Sequence, residues 1–157
     1  LARGRTVRSL SYLLAQYADV KQCFVAPAKL QVGKDVLDVL DENKTHYEVT
    51  EDFESMIPLA DAIYMTRVQD EWDVEKGESS RVDISAYCFR EEHLQRLRSD
   101  AVLMHPLPRR EEISTAVDGD PRAVYWRQMR NGMWIRAALI ASIFHCDEQI
   151  NARSTRK

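Results

Sequence analysis

The stretch Ala101-Val102-Leu103-Met104-His105-Pro106-Leu107-Pro108-Arg109 is an apolar run that stops at a histidine and gives way to two prolines around one leucine. A four-residue apolar run closed so abruptly reads as a buried strand. Neither proline can donate a backbone hydrogen bond, and each fixes φ near −65°. The residues before them are pushed toward extended geometry. The segment after Met104 is therefore a stiff, non-helical loop with carbonyls to offer, placed just past the end of a strand. Such a loop suits a small polar ligand if the rest of the chain points to the same place.

Working outward, strand and helix patterns alternate. Val7, Leu10, Leu13, Leu14 and Tyr17 recur at helical spacing, with Thr6 expected as N-cap and Arg5 just outside the helix. Gln22 to Ala26 is a short apolar run closed by Pro27, expected as a strand. Val32, Val36, Leu37 and Leu40 predict a second helix, and His46 to Val49 a second strand. Thr50 is expected to cap a third helix carrying Phe53, Met56, Ile57, Leu59 and Ala60. Ala62 to Met65 is a strand ending at Thr66-Arg67. The charged stretch from Gln69 to Asp83 is read as a long mobile loop. Phe89, Leu94 and Leu97 are placed on a helix running to Arg98. Asp120-Pro121 is expected to start the last regular region, which runs from Ala123 to Phe144 with a break at Asn131-Gly132. Arg136, inside an apolar helical face, is expected to have a buried ion-pair partner or to support Arg5 from behind. His46 and His93 are read as surface residues. The domain is assigned to residues 1–146, and 147–157 to a frayed polar tail.

This alternation predicts an α/β fold, a doubly wound parallel sheet flanked by helices. In such a sheet the strands end, and the following helices begin, on one edge, and ligands bind there. Arg67 follows one strand and His105 another. Arg5 opens a helix expected to follow a further strand that precedes Leu1. Arg5, Arg67, Gln69 and His105 to Pro108 thus fall on one rim. The guanidinium fork matches a carboxylate bidentately and stays charged near neutral pH. Arg5 has the added pull of a helix N-terminus. Two arginines suit a ligand with two carboxylates, and the carbonyl of Leu107 suits an amine or amide donor. The residues alone leave other readings open: arginines as solvated surface cations, His105 as a hydrogen-bonded histidine at a strand end, and prolines that only turn the chain.

Bulk properties exclude other classes. The chain has 157 residues, 45% hydrophobic and 30% charged, enough for one domain with a real core. With 22 basic and 25 acidic residues the formal charge is −3, which gives no bulk attraction for nucleic acid or an anionic membrane. The longest apolar run, Met133 to Phe144, is short and interrupted by Arg136. No secretory leader is visible, and the start at Leu1-Ala2 is read as a truncation. Cys23, Cys88 and Cys146 are scattered and odd in number, so reduced thiols in a cytoplasmic protein are expected. No nucleophile with its base, phosphate-binding glycine loop or clustered metal ligands is present as a motif.

Four motifs in order resemble the aspartate carbamoyltransferase family: Gly4-Arg5-Thr6-Val7-Arg8-Ser9-Leu10; Tyr64-Met65-Thr66-Arg67-Val68-Gln69; His105-Pro106-Leu107-Pro108-Arg109 with Glu112-Ile113; and Asp120-Pro121-Arg122-Ala123 through Asn131-Gly132. The resemblance runs from Leu1 to about Phe144 and covers the family's C-terminal, aspartate-binding half. Ornithine-using relatives typically carry Ser-Met-Gly where Thr66-Arg67-Val68-Gln69 stands, and Cys at the position of Pro106. The resemblance implies attack of the aspartate amine on the carbonyl carbon of carbamoyl phosphate, giving N-carbamoyl-L-aspartate and phosphate early in pyrimidine synthesis. It implies that Arg5 and Arg67 each bind one aspartate carboxylate, and that Gln69 orients Arg67 and the side-chain carboxylate. The carbonyls of Leu107 and Pro108 would hold the carbamoyl amino group while His105 shapes the loop. No cofactor and no metal are implied, because positioning and charge stabilisation suffice.

The family's Ser-Thr-Arg-Thr phosphate loop belongs to an N-terminal carbamoyl phosphate domain, and a neighbouring subunit adds a Ser and a Lys. The resemblance implies a homotrimer of the complete enzyme, and little or no turnover is expected from this chain alone. Two positions depart from the pattern. Ala2 stands where some members have lysine, and Asp70-Glu71-Trp72 replaces a basic residue followed by Glu-Arg. A non-catalytic domain of the same fold, or a carbamoyltransferase for another amino acid, are the competing readings.

Overall fold

In the computed structural model the described residues are 1–2, 4–69 and 81–154. The expected loop from Gln69 to Asp83 therefore falls mostly outside the described residues. Helix α1 (Arg5–Leu14) leads to strand β1 (Lys21–Val25), helix α2 (Lys34–Glu42) and strand β2 (His46–Thr50). A short helix α3 (Phe53–Met56) precedes strand β3 (Ala62–Tyr64), and strand β4 (Val102–Met104) follows 3-10 turns at Ser85–Tyr87 and Glu91–Gln95. Helix α4 (Tyr125–Ile143) and helix α5 (Asp147–Ser154) close the chain.

The strands pair parallel, as the alternating pattern predicts. β1 lies beside β2 with Phe24 opposite Val49, and β3 beside β4 with Ile63 opposite Leu103. Among the described residues these remain two separate two-stranded ladders, with β1 and β3 both facing one cleft. Each ladder has its own core. Phe24, Val32, Val36 and Leu40 pack under β1 and β2. Phe53, Ile57, Phe89, Leu103, Ile113, Val117 and Tyr125 pack around β3 and β4. Burial of this apolar surface, at roughly 25 cal/mol per Å², is the main favourable term.

Several local expectations are corrected. Gly4, not Thr6, is the N-cap of α1, so Arg5 is the first helical residue. Thr50 ends β2, and its hydroxyl accepts from Asp52 N at 3.1 Å; Asp52 then caps α3 by accepting from Ser55 N at 3.1 Å. The third helix is only four residues long because Pro58 cannot donate, and the chain tightens into a 3-10 turn at Ile57–Leu59. The predicted helix from Phe89 to Arg98 is a 3-10 turn, and Phe89 itself bridges in parallel to Ile113. His93 is buried, not a surface residue: its Nδ1 accepts from Arg90 N at 2.9 Å and its Nε2 meets Glu54 at 3.0 Å. The C-terminal segment is helical to Ser154 rather than frayed.

α4 begins at Tyr125, not at Asp120-Pro121, and runs without interruption through Asn131-Gly132. A helix-interior glycine costs only about 1 kcal/mol, too little to break a long helix with good formers on both sides. Arg136 is exposed on α4 and makes no hydrogen bond or ion pair with a described residue, so it does not back Arg5.

The Asp120 carboxylate turns back on its own loop. It accepts from Arg122 N at 2.9 Å and from the Arg122 guanidinium, which in turn donates to the carbonyls of Leu97 and Leu94. The Arg122 bonds hold the Asp120 carboxyl below its usual range, although burial works the other way. A depressed folded pKa contributes stability above the unfolded value of about 3.9, and this is lost as pH falls through the folded pKa. Asp120→Asn should therefore lower the urea midpoint at pH 7, and the gap to wild type should narrow once the pH falls below about 3.9 and through the folded pKa. An equal gap at pH 7 and below the folded pKa would contradict this assignment.

Candidate functional site

The C-terminal edge of the β3–β4 ladder is where the sequence predicts a site. Met65 N donates to Met104 O at 3.0 Å, so the two strands leave the sheet side by side. Thr66 to Gln69 leave β3 along the wall of a cleft of about 720 Å³. Gly4, β1, β3 and Glu112 line the same cleft. Arg67 is half-buried there and donates to the Val68 carbonyl at 3.3 Å. The Oε1 of Gln69 is buried and accepts from no described residue. A buried acceptor left unmatched costs about 1–3 kcal/mol, so the position favours a ligand or chain segment that brings a donor.

Beyond β4 the chain makes the stiff loop. His105 is buried at 1% exposure, and three bonds fix it. Its backbone N donates to Gln128 Oε1 at 3.1 Å. Its ring Nδ1 accepts from Leu107 N at 2.8 Å, and its Nε2 lies 2.6 Å from Glu112 Oε1. A backbone N–H can only donate, so Nδ1 carries a lone pair and the ring proton sits on Nε2, facing the carboxylate. Glu112 also accepts from Arg110 N at 3.0 Å. Burial pushes the Glu112 carboxyl upward, but the His105 bond and the backbone N–H donors outweigh it and leave it below its usual range. Leu107 is held at φ 51°, in the left-handed region that a branched side chain disfavours, and its peptide to Pro108 is cis.

The loop's far end is clamped by Arg109. Its guanidinium pairs with both carboxylate oxygens of Asp118, Nη2 to Oδ2 at 2.7 Å, and with Tyr125 Oη at 3.2 Å. It lies over the Tyr125 and Trp126 rings at 5.5 and 5.6 Å. Tyr125 is wholly buried and also donates to Asp118. Burial first, then the Asp118 carboxylate, push its hydroxyl up to about 12. Gln128 completes the frame by donating to Tyr64 Oη at 3.1 Å while accepting from His105, which ties β3, the loop and α4 together.

The structure thus brings Arg67 and Gln69 into one cleft. Arg5 is exposed at the start of α1, next to Gly4 on the cleft wall, and pairs with no described residue. His105, Leu107 and Pro108 do not line the cleft; Glu112 does, and it connects them to it. Sequence reasoning assigned no role to Glu112, Asp118, Tyr125 or Gln128. Glu112 follows the proline loop by four residues, which was the available signal. Asp118 and Gln128 are ordinary polar residues until the fold brings them in. Among the described residues no three His, Cys, Asp or Glu side chains gather as a metal-ligand set.

Residues 2–143 match the family model described as aspartate/ornithine carbamoyltransferase, Asp/Orn binding domain. Aspartate carbamoyltransferase 1 of Pisum sativum is 41% identical over 140 residues, covering 89% of this chain and 36% of that protein. The aspartate carbamoyltransferase catalytic subunit of Vibrio cholerae is 41% identical over 145 residues, covering 92% and 46%. Among solved structures, the catalytic subunit of M. jannaschii aspartate transcarbamoylase superposes with a TM-score of 0.81 at 31% identity, covering 94% and 47%. The Trypanosoma cruzi aspartate transcarbamoylase in complex with N-(phosphonacetyl)-L-aspartic acid gives 0.78 at 35%, covering 87% and 44%. The chain spans less than half the length of each of these proteins.

Proposed function

The chain belongs to the aspartate/ornithine carbamoyltransferase family, as its Asp/Orn binding domain, and from that premise we propose that it is the aspartate-holding half of an aspartate carbamoyltransferase. The observation that carries this reading is Arg67 and Gln69 in one cleft, at the end of the strand that pairs with the strand leading into the carbonyl loop. Arg67 takes one aspartate carboxylate and Arg5, at the mouth of α1, takes the other. The buried Gln69 acceptor, which takes no donor from a described residue, is open to a donor on the bound amino acid. The carbonyls of Leu107 and Pro108 accept from the carbamoyl amino group, and His105 holds them in place.

With both substrates in place the aspartate nitrogen forms a bond to the carbamoyl carbon. The C–O bond to phosphate breaks, phosphate leaves with that electron pair, and the amine proton is released. Holding the two reactants in contact supplies much of the acceleration. Carbamoyl phosphate needs a second half, and α4 offers it a surface. Met133, Trp134, Ile135, Leu139, Ile140 and Ile143 are all more than half exposed along one helix. An apolar face of this size calls for a covering layer, and the relatives are long enough to supply one. Homotrimeric assembly and a cytoplasmic setting belong to the same reading; the three free, scattered cysteines are in keeping with a reducing compartment.

The reading is tested by calorimetry on the polypeptide that joins this chain to its carbamoyl phosphate half. N-(phosphonacetyl)-L-aspartic acid should bind at least about 100-fold more tightly than its L-ornithine counterpart, because an ornithine ammonium would face Arg67 where a carboxylate is wanted. Equal affinities, or a preference for the ornithine compound, would remove the aspartate assignment.

A further inference from the structure

We propose that Glu112 is a positioning residue for the carbamoyl contact: it sets the His105 tautomer, and through it the placement of the Leu107 carbonyl. This rests on the functional reading above for its last step only. The chain of contacts is short and fully placed. Glu112 Oε1 lies 2.6 Å from His105 Nε2 and is held in turn by Arg110 N at 3.0 Å. That fixes the ring proton on Nε2. The opposite nitrogen, Nδ1, is thereby kept as an acceptor, and it takes the Leu107 N–H at 2.8 Å.

Leu107 sits at φ 51°, a conformation that a non-glycine residue holds only when its surroundings impose it. The Leu107 N–H bond to Nδ1 is one such restraint, and it acts on the residue whose carbonyl faces the substrate in this reading. Were the ring proton to move to Nδ1, that nitrogen and the Leu107 N–H would both be donors, and the bond would be lost. The Glu112 acceptor prevents this. His105 is 1% exposed and Glu112 6%, so water is poorly placed to substitute for the carboxylate. Glu112 also lines the cleft that holds Arg67 and Gln69. It therefore touches both the amino acid cleft and, directly, the His105 ring that supports the carbonyl loop.

What Glu112 contributes here is an acceptor oxygen in the right place, not a negative charge as such. That separates three variants. Glu112→Ala removes the acceptor. Glu112→Asp keeps the charge but draws the oxygen back by one methylene. Glu112→Gln keeps an acceptor oxygen at full reach.

The experiment has two arms. On the 157-residue chain, ¹⁵N-detected NMR of the His105 ring and hydrogen exchange at Leu107 N–H read the tautomer and the bond directly. On the polypeptide joined to its carbamoyl phosphate half, steady-state kinetics read KM for each substrate. Glu112→Ala should give a mixed tautomer, faster Leu107 exchange and a KM for carbamoyl phosphate raised about 10- to 100-fold, the range seen when the carboxylate that orients a metal-bound histidine is removed. KM for aspartate should change far less, because the bond that is lost supports the Leu107 loop and not Arg67. Glu112→Gln should recover most of the loss and Glu112→Asp less of it, and this ranking decides the matter even if Glu112→Ala does not fold. An Nε2–H ring unchanged in Glu112→Ala overturns the proposal. So does Glu112→Asp outperforming Glu112→Gln, and so does an altered ring with both KM values unmoved. Absence of aspartate carbamoylation by the wild-type protein would fail the functional reading alone; the ring and amide measurements would still decide whether Glu112 sets the loop.

Discussion

Arg67→Ala, in the polypeptide that joins this chain to its carbamoyl phosphate half, should raise KM for aspartate about 30- to 1,000-fold, the equivalent of about 2–4 kcal/mol. Arg67 stands three residues past β3, half-buried in the cleft, with the orphaned Gln69 acceptor two residues on. A carboxylate bound there is partly desolvated, and removing its guanidinium leaves it without its charge partner. Arg67→Lys keeps the charge but loses the planar fork, so it should recover only part of the loss. The measurement is initial-rate kinetics with aspartate varied at saturating carbamoyl phosphate. A KM for aspartate within about 3-fold of wild type would place the carboxylate elsewhere and would favour a domain retained for assembly rather than binding.

Phe89→Ala should lower stability by about 3–5 kcal/mol and the unfolding temperature by about 6–20 °C. Phe89 is completely buried at the centre of the core around β3 and β4. Its ring meets Phe53 edge-on at 6.5 Å and His93 at 5.3 Å. Its backbone accepts from Ser114 N at 2.9 Å and donates to the Glu112 carbonyl at 2.8 Å. The cavity would thus open directly behind the segment that carries Glu112. Calorimetric unfolding checks this, with Leu139→Ala on the exposed face of α4 as the control expected to change the 157-residue chain little. A shift under about 2 °C for Phe89→Ala would mean that this core is far more tolerant than its packing implies.

The local errors of the sequence reading share one cause. Phe89 to Arg98 carries apolar residues at helical spacing, yet Phe89 is claimed by a bridge to Ile113 and His93 by Glu54, a residue 39 positions away. Asp120-Pro121 has the form of a helix start, but the Asp120 carboxylate is taken by Arg122, which reaches carbonyls 25 and 28 residues back. Arg136 was expected to need a buried partner because it lies inside an apolar helical face; the helix is instead largely exposed. In each case a contact distant in sequence, or the lack of one, overrode a local pattern.

What the sequence determined by itself was the alternation of strand and helix, the parallel pairing that follows from it, and the edge on which Arg67, Gln69 and the proline loop emerge. Those depend on periodicity, on proline's fixed φ and missing donor, and on the rule that parallel strands finish on one side, all of which are local or topological. Only the tertiary structure decided that Gln69 carries a buried acceptor that no described residue matches, that Arg109 is clamped by Asp118 and Tyr125, and that Glu112 holds His105 in the tautomer the loop needs. Hydrogen bonds of that kind join residues whose separation in sequence has no period, and their strength depends on burial that exists only once the core has closed.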